Sequence, residues 1–554
     1  MDHLLANVQS ETGFAAAFCA GVILHVGIFR HGEWDLHTTR LLGLVIFLNT
    51  SLSCFLFFSP EAEEFDTRWK ALRAASLLTF TTLAGIYSSI IVYRAAFHRL
   101  NRFPGPFAAR ISNLYVTLLS IKKFQLYEEV QKLHEKYGDI VRIGPSELSI
   151  SDPKAVQLLH SNSSPCTKGP WYNILHPVKS LHMIRDQKEH SVRRKTWDKG
   201  LSTKALRDYE PRVAKYTNQL LEKMEETKGL PFDASTLFNF YSFDVMGDLA
   251  FGKSFDMLKN GVVHYFMKSV HTNMLLVSAF SHLVWIFPLF KEIPGLNYEH
   301  IKFQKWLSSQ VVDRQKNKPD MPDLFSWILA DYDANERPSK QDTVNLHGDA
   351  HLIVVAGSDT TAASLTCLFF ELATHPDACR RLQDEIDQYY ATSSQPEHLS
   401  LSKLKYLQAC IDESLRLHPP VPSGLQRMTP PEGFQIGEVF IPGNTILQIP
   451  SHTLYRDKRV FEQPNEFVPE RWTTQPEMTK DGSIFQPFSF GRYSCAGKQL
   501  GLMELRYVTS QVLRRYDVKL ADGLTPDTFL SGLKDGFTLA SPGLKLVLTE
   551  RRKE

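Results

Sequence analysis

The sequence predicts a mostly α-helical protein that carries a membrane anchor at its N-terminus. Three apolar runs occur within the first hundred residues. The segment Gln341–His375 has the pattern of one long helix with an apolar middle, and Pro376 would end it. Glu413 and Arg416 are spaced to lie on one face of another helix. The chain has 554 residues, of which 43% are hydrophobic, and this is enough for a large core.

The three N-terminal runs predict three transmembrane helices, over Gly13–Phe29, Leu41–Phe58 and Ala74–Tyr93. About 20 apolar residues cross the hydrocarbon layer of a membrane, and these runs contain 17, 18 and 20 residues. One of the first two runs could instead be a re-entrant or interfacial segment. A cleaved signal peptide is disfavoured because no Lys or Arg precedes the first run.

Charges in the loops predict the orientation of the anchor. Arg30 and Arg40 flank the first loop, so the positive-inside rule places this loop in the cytoplasm. With three spans, residues 1–12 are then a lumenal N-terminus, and the chain after the third span is cytoplasmic. The second loop is acidic at its start and basic near the third span, and the segment after that span is basic. The acidic residues are Glu61, Glu63, Glu64 and Asp66, followed by Arg68, Lys70 and Arg73, and the later segment carries Arg94, Arg99, Arg102 and Arg110.

Residues 94–110 form a basic, proline-rich hinge, in which Pro104 and Pro106 cannot continue a helix.

The composition of the chain excludes several classes of protein. The net charge of +2 gives no indication of nucleic-acid binding, and we expect no nucleic-acid partner. The seven cysteines are odd in number and include no Cys-x-x-Cys pair. They favour a reducing compartment over a disulfide framework or a structural zinc site.

One cysteine, Cys495, lies in a glycine-framed turn that begins at Phe488. Gly491 lets the backbone turn without a β-carbon clash, and Gly497 allows close approach to a flat group. A thiolate surrounded by backbone N–H groups is a good ligand for haem iron, because these groups stabilise its charge. The alternative is a buried, inert cysteine, which motifs earlier in the chain disfavour.

The chain resembles the cytochromes P450, a family of haem-thiolate monooxygenases with the haem-binding pattern Phe-x-x-Gly-x-Arg-x-Cys-x-Gly. The sequence matches this pattern at Phe488, Gly491, Cys495 and Gly497. The resemblance implies heme b (iron protoporphyrin IX) with Cys495 as the axial thiolate ligand of the metal. It also implies the cytochrome P450 fold over residues 111–554, with a large helical domain and a small β-rich region.

Haem propionates need cations and hydrogen-bond donors, and the resemblance indicates several cofactor-binding residues. Tyr493 stands where the family has a propionate-binding arginine, so either its hydroxyl or the preceding Arg492 could make that contact. His190 and Arg194 occupy the places of a family Trp-x-x-x-Arg pair, and Arg427 occupies that of a further propionate arginine. For His190, Arg194 and Arg427 the alternative is an ordinary surface charge.

The centre of the long helix carries Gly357, Asp359 and Thr360, which a plain apolar helix would not use. A hydroxyl beside a carboxylate can open the helix hydrogen bonds and hold a water molecule. By resemblance, Asp359 and Thr360 are the catalytic pair that delivers protons for dioxygen activation, which is general-acid chemistry. The alternative is a polar helix interior with a local kink.

The resemblance joins Glu413, Arg416 and Arg471 in a buried ion-pair network, where a lone Glu-x-x-Arg would be interpreted as a surface pair. It also implies NADPH-cytochrome P450 reductase as the electron donor, because the chain has no G-x-G-x-x-G in a strand-helix context for NADPH. A basic segment would meet this acidic partner, although a solvated helix face is the alternative. Its residues are Arg185, Lys188, Arg193, Lys195 and Lys199, with Lys498 after the cysteine.

The predicted function is that of an endoplasmic-reticulum membrane monooxygenase with a cytoplasmic catalytic domain. The family's substrate-contact segments are apolar here and contain Trp171, Tyr172 and Phe537, which suits a lipophilic small molecule. The motifs are similar to those of fungal members of secondary metabolism, including tryprostatin-hydroxylase-like proteins, and this implies an indole alkaloid, terpenoid or polyketide. One alternative is a haem-thiolate isomerase, dehydratase or peroxygenase without a reductase. Another is a non-catalytic haem-binding membrane sensor.

Overall fold

The computed structural model describes residues 10–59 and 67–551, and its secondary structure is mostly helical, as the sequence predicts. Most of the predicted lumenal segment and the acidic start of the second loop lie outside the described residues. The described chain divides into two compact units. The first contains residues 10–115, 142–146 and 282–302, and the second contains residues 116–141, 147–281 and 303–551.

The elements are numbered in chain order. The α-helices are α1 Glu11–Leu24, α2 Thr38–Phe58, α3 Arg68–Val92, α4 Phe107–Ile111, α5 Leu114–Lys123, α6 Leu126–Tyr137, α7 Pro153–His160, α8 Gln187–Gly200, α9 Thr203–Glu226, α10 Ala234–Phe251, α11 Met257–Asn260, α12 Tyr265–Ala279, α13 Phe287–Glu292, α14 Tyr298–Lys316, α15 Leu324–Asp333, α16 Lys340–Thr374, α17 Pro376–Thr392, α18 His398–Leu401, α19 Lys405–Leu417, α20 Ser451–Leu454, α21 Lys498–Arg515 and α22 Pro526–Gly532. The strands are β1 Ile140–Gly144, β2 Glu147–Ile150, β3 Thr167–Lys168, β4 Phe232–Asp233, β5 Arg427–Met428, β6 Phe434–Ile436, β7 Val439–Ile441, β8 Ile446–Gln448, β9 Tyr516–Leu520, β10 Lys534–Gly536, β11 Thr538–Ala540 and β12 Lys545–Glu550.

The first three helices contain the three apolar runs. Within the described residues they are long and apolar enough to cross a membrane, and α1 and α3 are extended by π-helical turns to Phe29 and Phe97. Most of their residues face outward. Helix α16 meets the same criteria of length and hydropathy, but 72% of its apolar stretch is buried inside the protein. Burial by protein identifies α16 as a core helix.

Helices α1 and α3 pack closely through glycines. A Cβ atom on Gly21 would lie 2.1 Å from the carbonyl oxygen of Thr82, and one on Gly85 would lie 2.2 Å from that of Phe18. Asn49 of α2 adds a side-chain hydrogen bond of 3.0 Å to a threonine of α3. Small residues and polar contacts of this kind hold helices together in lipid. The three helices therefore form a packed bundle.

Residues 282–302 also belong to the first unit, although the chain on both sides of them belongs to the second. Helix α13 packs against α2, where the Thr39 hydroxyl donates to the Glu292 carboxylate. The short turn Asp35–His37 of the first loop contacts Val284–Ile286. The first loop of the anchor is therefore in contact with a segment of the later chain.

Helix α16 lies in the core of the second unit, and its bounds differ from those of the predicted helix by one residue at each end. Ser339 caps its N-terminus in a capping box with Asp342. Helix α10 packs along it. Gly357 permits this packing, because a Cβ atom there would lie 2.6 Å from Cε of Met246 on α10. The helix stays α-helical throughout, without the opening that the motif allows.

A small sheet of the second unit brings distant parts of the chain together. Strand β2 pairs in parallel with β8, β8 pairs antiparallel with β5, and β5 pairs antiparallel with β3. The register of the last pair places Lys168 directly opposite Arg427. Like charges directly opposite each other destabilise a strand pair. Another interaction must therefore offset the repulsion between Lys168 and Arg427.

Candidate functional site

The loop that carries Cys495 is closed by its own backbone. The Cys495 N–H donates to the carbonyl oxygen of Phe488 at 2.8 Å. Gly491 has a φ of +69°, and a Cβ atom on it would lie 2.1 Å from the carbonyl oxygen of His160. Glycine is therefore required at this position on two grounds. Helix α21 begins at Lys498, so the cysteine lies immediately before the N-terminus of a helix of 18 residues.

The Cys495 thiol lies in an environment prepared for negative charge. Burial raises its pKa, whereas the backbone N–H groups of Gly497 and Lys498 and the cations of Arg194 and Lys498 act in the opposite direction. The side chain is nevertheless accessible to solvent. Backbone N–H groups at a helix N-terminus stabilise a thiolate.

Lys168 and Arg427 are almost completely buried, with 3% and 2% of their surface exposed. No carboxylate of the described residues forms an ion pair with either side chain. The Lys168 ammonium donates to the carbonyl oxygens of Leu181 and His182, at 3.3 and 2.6 Å. Burial, together with the charges of Arg427 and Arg194, lowers the pKa of Lys168 well below its usual value. Two buried cations without an anion are unfavourable, and an anionic ligand would relieve this.

Tyr493 contacts both of these cations. The centre of its ring is 4.9 Å from Lys168 Nζ and 4.9 Å from Arg427 Cζ, which are cation–π distances. His190 packs edge-on against the same ring at 4.8 Å. Burial lowers the pKa of His190 to about 3, so its imidazole is neutral at physiological pH. We call Lys168, His190, Arg427 and Tyr493 the cationic cluster.

Three members of the cationic cluster have a buried polar atom that lacks a hydrogen-bond partner among the described residues. These atoms are Nδ1 of His190, Nε of Arg427 and the hydroxyl oxygen of Tyr493. A buried polar group without a partner costs about 1–3 kcal/mol, so native proteins rarely leave several together. Carboxylates are the groups that these donors and cations prefer.

Arg194 and Arg492 take different positions. Arg194 forms an ion pair with Asp198 at 2.6 Å and donates to the carbonyl oxygen of Ser494 at 2.6 Å. It therefore attaches α8 to the residue before Cys495. Arg492 donates to the carbonyl oxygen of Asn162 at 3.2 Å. Of the predicted propionate residues, the structure brings His190, Arg427 and Tyr493 together, and it places Arg194 against the cysteine loop.

Asp359 and Thr360 point to different partners. The Asp359 carboxylate is 7% exposed and lies 3.0 Å from Nε2 of His271 on α12. The Thr360 hydroxyl donates to the carbonyl oxygen of Ala356 at 2.7 Å. Ala356 is exposed and Thr360 is partly exposed, one turn apart on a helix whose other faces are mostly buried. This face of α16 is therefore accessible, although the helix lies in the core.

The predicted ion-pair network is present. Glu413 accepts from Arg416 at 2.8 Å and from Arg471 at 2.9 Å, and all three side chains are fully buried. Trp472 Nε1 donates to the same carboxylate at 2.9 Å. Each arginine also donates to backbone carbonyl oxygens. Charge and hydrogen bonding are satisfied within the protein, as a structural network requires.

The thiol and the cationic cluster together define a class of cofactor. A thiol at a helix N-terminus suits a metal, and the buried cations and donors around Tyr493, two residues before the cysteine, suit carboxylates. Haem combines these requirements, since its iron accepts a thiolate and its two propionates are carboxylates. The residues therefore fit a haem-thiolate protein.

Comparison with known proteins gives the family. A sequence model of the cytochrome P450 family matches residues 106–548, and the chain therefore belongs to this family. It is 60% identical to cytochrome P450 monooxygenase FCK2 of Fusarium pseudograminearum, over 97% of this chain and 98% of that protein. It is 40% identical to cytochrome P450 monooxygenase phqL of Penicillium fellutanum, over 99% and 97%. It is 36% identical to tryprostatin B 6-hydroxylase of Aspergillus fumigatus, over 99% and 98%.

These relationships confirm the predicted class of enzyme. The chain is a cytochrome P450 monooxygenase of the fungal secondary-metabolism type, and its family binds haem through a cysteine thiolate. The apolar N-terminal helices are consistent with membrane association.

Sequence reasoning did not find two residues that the structure brings to the site. Lys168 belongs to a two-residue strand whose partner is 259 residues away in the chain, and no periodicity indicates that it is buried. His271 lies on α12 among polar and apolar residues without a motif, and its carboxylate partner is 88 residues away. The residues next to Lys168 in the sequence, Thr167 and Gly169, give no local signal of its burial.

Proposed function

We propose that this protein is a membrane-anchored monooxygenase that oxidises a lipophilic small molecule with electrons from NADPH-cytochrome P450 reductase, and that Cys495 is its iron ligand. The observation that carries the proposal is the position of Cys495. Cys495 is an exposed residue just before a helix N-terminus, and its thiol receives the backbone N–H groups of Gly497 and Lys498. These features favour a thiolate that is open to a metal.

The cationic cluster would hold the haem propionates. Arg427 Nε and the Tyr493 hydroxyl can donate to a carboxylate, as can His190 Nδ1 when it carries the ring proton, and the two cations would gain the anions that they lack. A Cβ atom on Gly497 would meet no atom within 4 Å, which leaves room for a flat group beside the loop. When bound, the haem supplies dioxygen activation and the insertion of one oxygen atom into the substrate.

Asp359 and Thr360 would hold and move protons on the opposite side of the site. The Thr360 hydroxyl already donates to Ala356, so its oxygen remains free to accept a further hydrogen bond from the open side. The Asp359 carboxylate is buried and is hydrogen-bonded to His271. A carboxyl and a hydroxyl at adjacent positions can pass a proton to a group in the open space.

Aromatic surfaces support a lipophilic, ring-containing substrate. Trp171 stacks on Phe537 with ring centres 4.7 Å apart and planes at 7°. Phe537 has a φ of +72° in the turn between β10 and β11, an unfavourable conformation for a bulky residue that the surrounding structure holds in place. Because a relative is named for tryprostatin B, we infer an indole alkaloid or a similarly flat secondary metabolite, and tryprostatin B is the first compound to test.

The exposed basic residues suit an acidic reductase. Lys188, Lys195 and Lys199 are exposed on α8, and Lys498 is exposed beside the cysteine loop. Two other members of the predicted basic segment have internal roles. Arg193 pairs with Asp349, and Arg185 donates to the backbone of Lys168. The docking charge is therefore carried by lysines, whose contribution falls with increasing salt concentration.

The charges of the anchor support the proposed orientation. Arg30 and Arg40 flank the first loop, and Arg94, Arg99, Arg102 and Arg110 follow the third span. The first loop and the chain after the third span would therefore lie on the same side of the membrane. The positive-inside rule assigns that side to the cytoplasm. In a fungal cell this arrangement fits the endoplasmic-reticulum membrane.

The carbon monoxide difference spectrum of the reduced full-length protein tests the ligand. We expect a thiolate-type Soret band from the natural protein and its loss in Cys495→Ser, while Cys410→Ser keeps the band. A thiolate-type band in Cys495→Ser would overturn the assignment. Product from tryprostatin B or related indoles with NADPH and reductase would support the monooxygenase. Product with peroxide alone would instead favour a peroxygenase.

A further inference from the structure

A histidine from a neighbouring helix faces the buried acid of the site. His271 on α12 places Nε2 3.0 Å from Oδ1 of Asp359 on α16. Phe243 of α10 packs edge-on against the imidazole, with ring centres 5.7 Å apart. The ring is thus held by a hydrogen bond on one side and an aromatic contact on the other. This contact fixes the direction of the imidazole toward the carboxylate.

The pair is accessible at one end and buried at the other. The His271 side chain is 40% exposed, whereas the Asp359 side chain is 7% exposed. A proton that reaches Asp359 from solvent must enter through a polar group, because apolar surroundings do not carry charge. Among the described residues, His271 is the side chain that is hydrogen-bonded to the Asp359 carboxylate, and it is the more accessible member of the pair.

The electrostatics of the pair favour a protonated imidazole. Burial lowers the pKa of His271, but the hydrogen bond and the negative charge of Asp359 raise it by more, so the net pKa is above the usual value. Asp359 is the charged group that acts on His271 among the described residues, and the facing side chain of α10 is the uncharged Phe243. The imidazole therefore loses its proton as the pH rises through this raised pKa.

We propose that His271 is a positioning residue that holds Asp359 and passes protons to it from the accessible side of the site. The N–H bond at Nε2 breaks as an O–H bond forms on Asp359, and the neutral imidazole is protonated again by a hydronium ion of the solvent, which becomes water. Asp359 can then deliver its proton toward Thr360. This inference rests on the proposed roles of Asp359 and Thr360.

The test compares His271→Gln with His351→Gln in the full-length holoenzyme, in membranes with reductase and NADPH. Glutamine keeps a donor but cannot carry a proton. His351 lies about two turns before Asp359 on α16, where it packs against Phe266 and Phe303 and provides a matched control. The rate measured is the part of NADPH oxidation that carbon monoxide abolishes, without added substrate, so no substrate needs to be known.

In the natural protein we expect this rate to fall as the pH rises through the His271 midpoint, and to be lower in deuterium oxide. His271→Gln should lower the rate about tenfold, below the ~10²–10⁴-fold range of full general-acid catalysis, since Asp359 remains. The substitution should also remove the fall in rate as the pH rises through the His271 midpoint. His351→Gln should behave as the natural protein does. A natural rate and pH profile in His271→Gln would overturn the proposal.

A second measurement follows the pair itself. Hydrogen–deuterium exchange at the histidine C2 position, read by mass spectrometry, gives the titration midpoint of His271 in the holoenzyme. Asp359→Asn should shift this midpoint to lower pH, and an unchanged midpoint would show that the pair does not form. The carbon monoxide spectrum distinguishes failure of the proposed function from failure of this inference. A natural protein without a thiolate-type band would refute the proposed function, whereas a normal band with an inert His271 would refute this inference alone.

Discussion

The ion-pair network and the cationic cluster both bury arginine, but they differ in what surrounds it. In the network, Glu413 lies between Arg416 and Arg471, and backbone carbonyl oxygens accept the remaining donors. In the cationic cluster, Lys168 and Arg427 are paired with each other across two strands, and the described residues supply no anion. The first set is complete within the protein, and the second is complete only with an anionic ligand.

This difference is a general way to distinguish a structural charge from a binding charge. Burial alone does not distinguish them, because Arg416, Arg427 and Arg471 are all 2% exposed or less. The distinguishing features are charge balance and unpartnered donors. The two regions should therefore respond oppositely to loss of a charge.

The largest effect is expected from Glu413→Gln. The change leaves two buried arginines without their anion, and breaking a buried pair in this way costs about 3–5 kcal/mol. We expect little folded protein and almost no haem incorporation. Thermal unfolding and the carbon monoxide spectrum measure these quantities. Glu432→Gln, at an exposed glutamate, is the control and should change stability by less than about 0.5 kcal/mol. A stable Glu413→Gln holoprotein would remove the distinction between the two regions.

A smaller and opposite effect is expected from Lys168→Met. The change removes a buried cation but keeps most of the side-chain volume. Haem should be lost about tenfold faster, because a charge-assisted hydrogen bond contributes about 1.5 kcal/mol or more. The free energy of unfolding after haem removal should not fall, because an unpaired buried charge has gone. Haem transfer to a scavenger protein and denaturant unfolding report the two quantities.

The matched control for that experiment is Lys154→Met, at an exposed lysine, which should change neither quantity. If Lys168→Met destabilised the haem-free protein as strongly as Glu413→Gln does, Lys168 would be a structural residue. The cationic cluster would then not be a binding site for an anionic ligand.

Tyr493 allows a sharper test, because the family has arginine there. Tyr493→Arg would restore the family pattern but would place a third cation beside Lys168 and Arg427. It would also remove the ring that both cations contact, and each cation–π contact contributes about 1 kcal/mol. We expect lower haem incorporation in Tyr493→Arg than in Tyr493→Phe, which keeps the ring. Haem content per folded protein measures this, and higher incorporation in Tyr493→Arg would contradict the cation–π arrangement.

The smallest effect is expected at the surface. Lys195→Glu should raise the KM for reductase a few-fold, and the effect should shrink at high salt because exposed charges are screened. The carbon monoxide spectrum should not change. Lys259→Glu makes the same charge change at another exposed lysine and should leave the KM unaltered. Equal effects of both variants would show that net charge matters rather than a defined docking face.

The sequence by itself determined the class of enzyme, the candidate ligand and the main helices. The turn around Cys495 and the long helix α16 depend on neighbouring residues, namely glycines, caps and an apolar run ended by proline. Such local patterns are visible without the fold. The predicted long helix accordingly agrees with α16 to one residue at each end.

Only the tertiary structure shows which buried charges lack an ion-pair partner and which side chains are in contact. Lys168 and Arg427 became neighbours through a register between two-residue strands, and His271 met Asp359 through the packing of α12 on the core. It also showed that Gly357 packs directly against the side chain of Met246. These facts depend on long-range contacts, which no local pattern encodes. Charge balance in the interior is a property of the folded chain, because it depends on what is absent from the surroundings as well as on what is present.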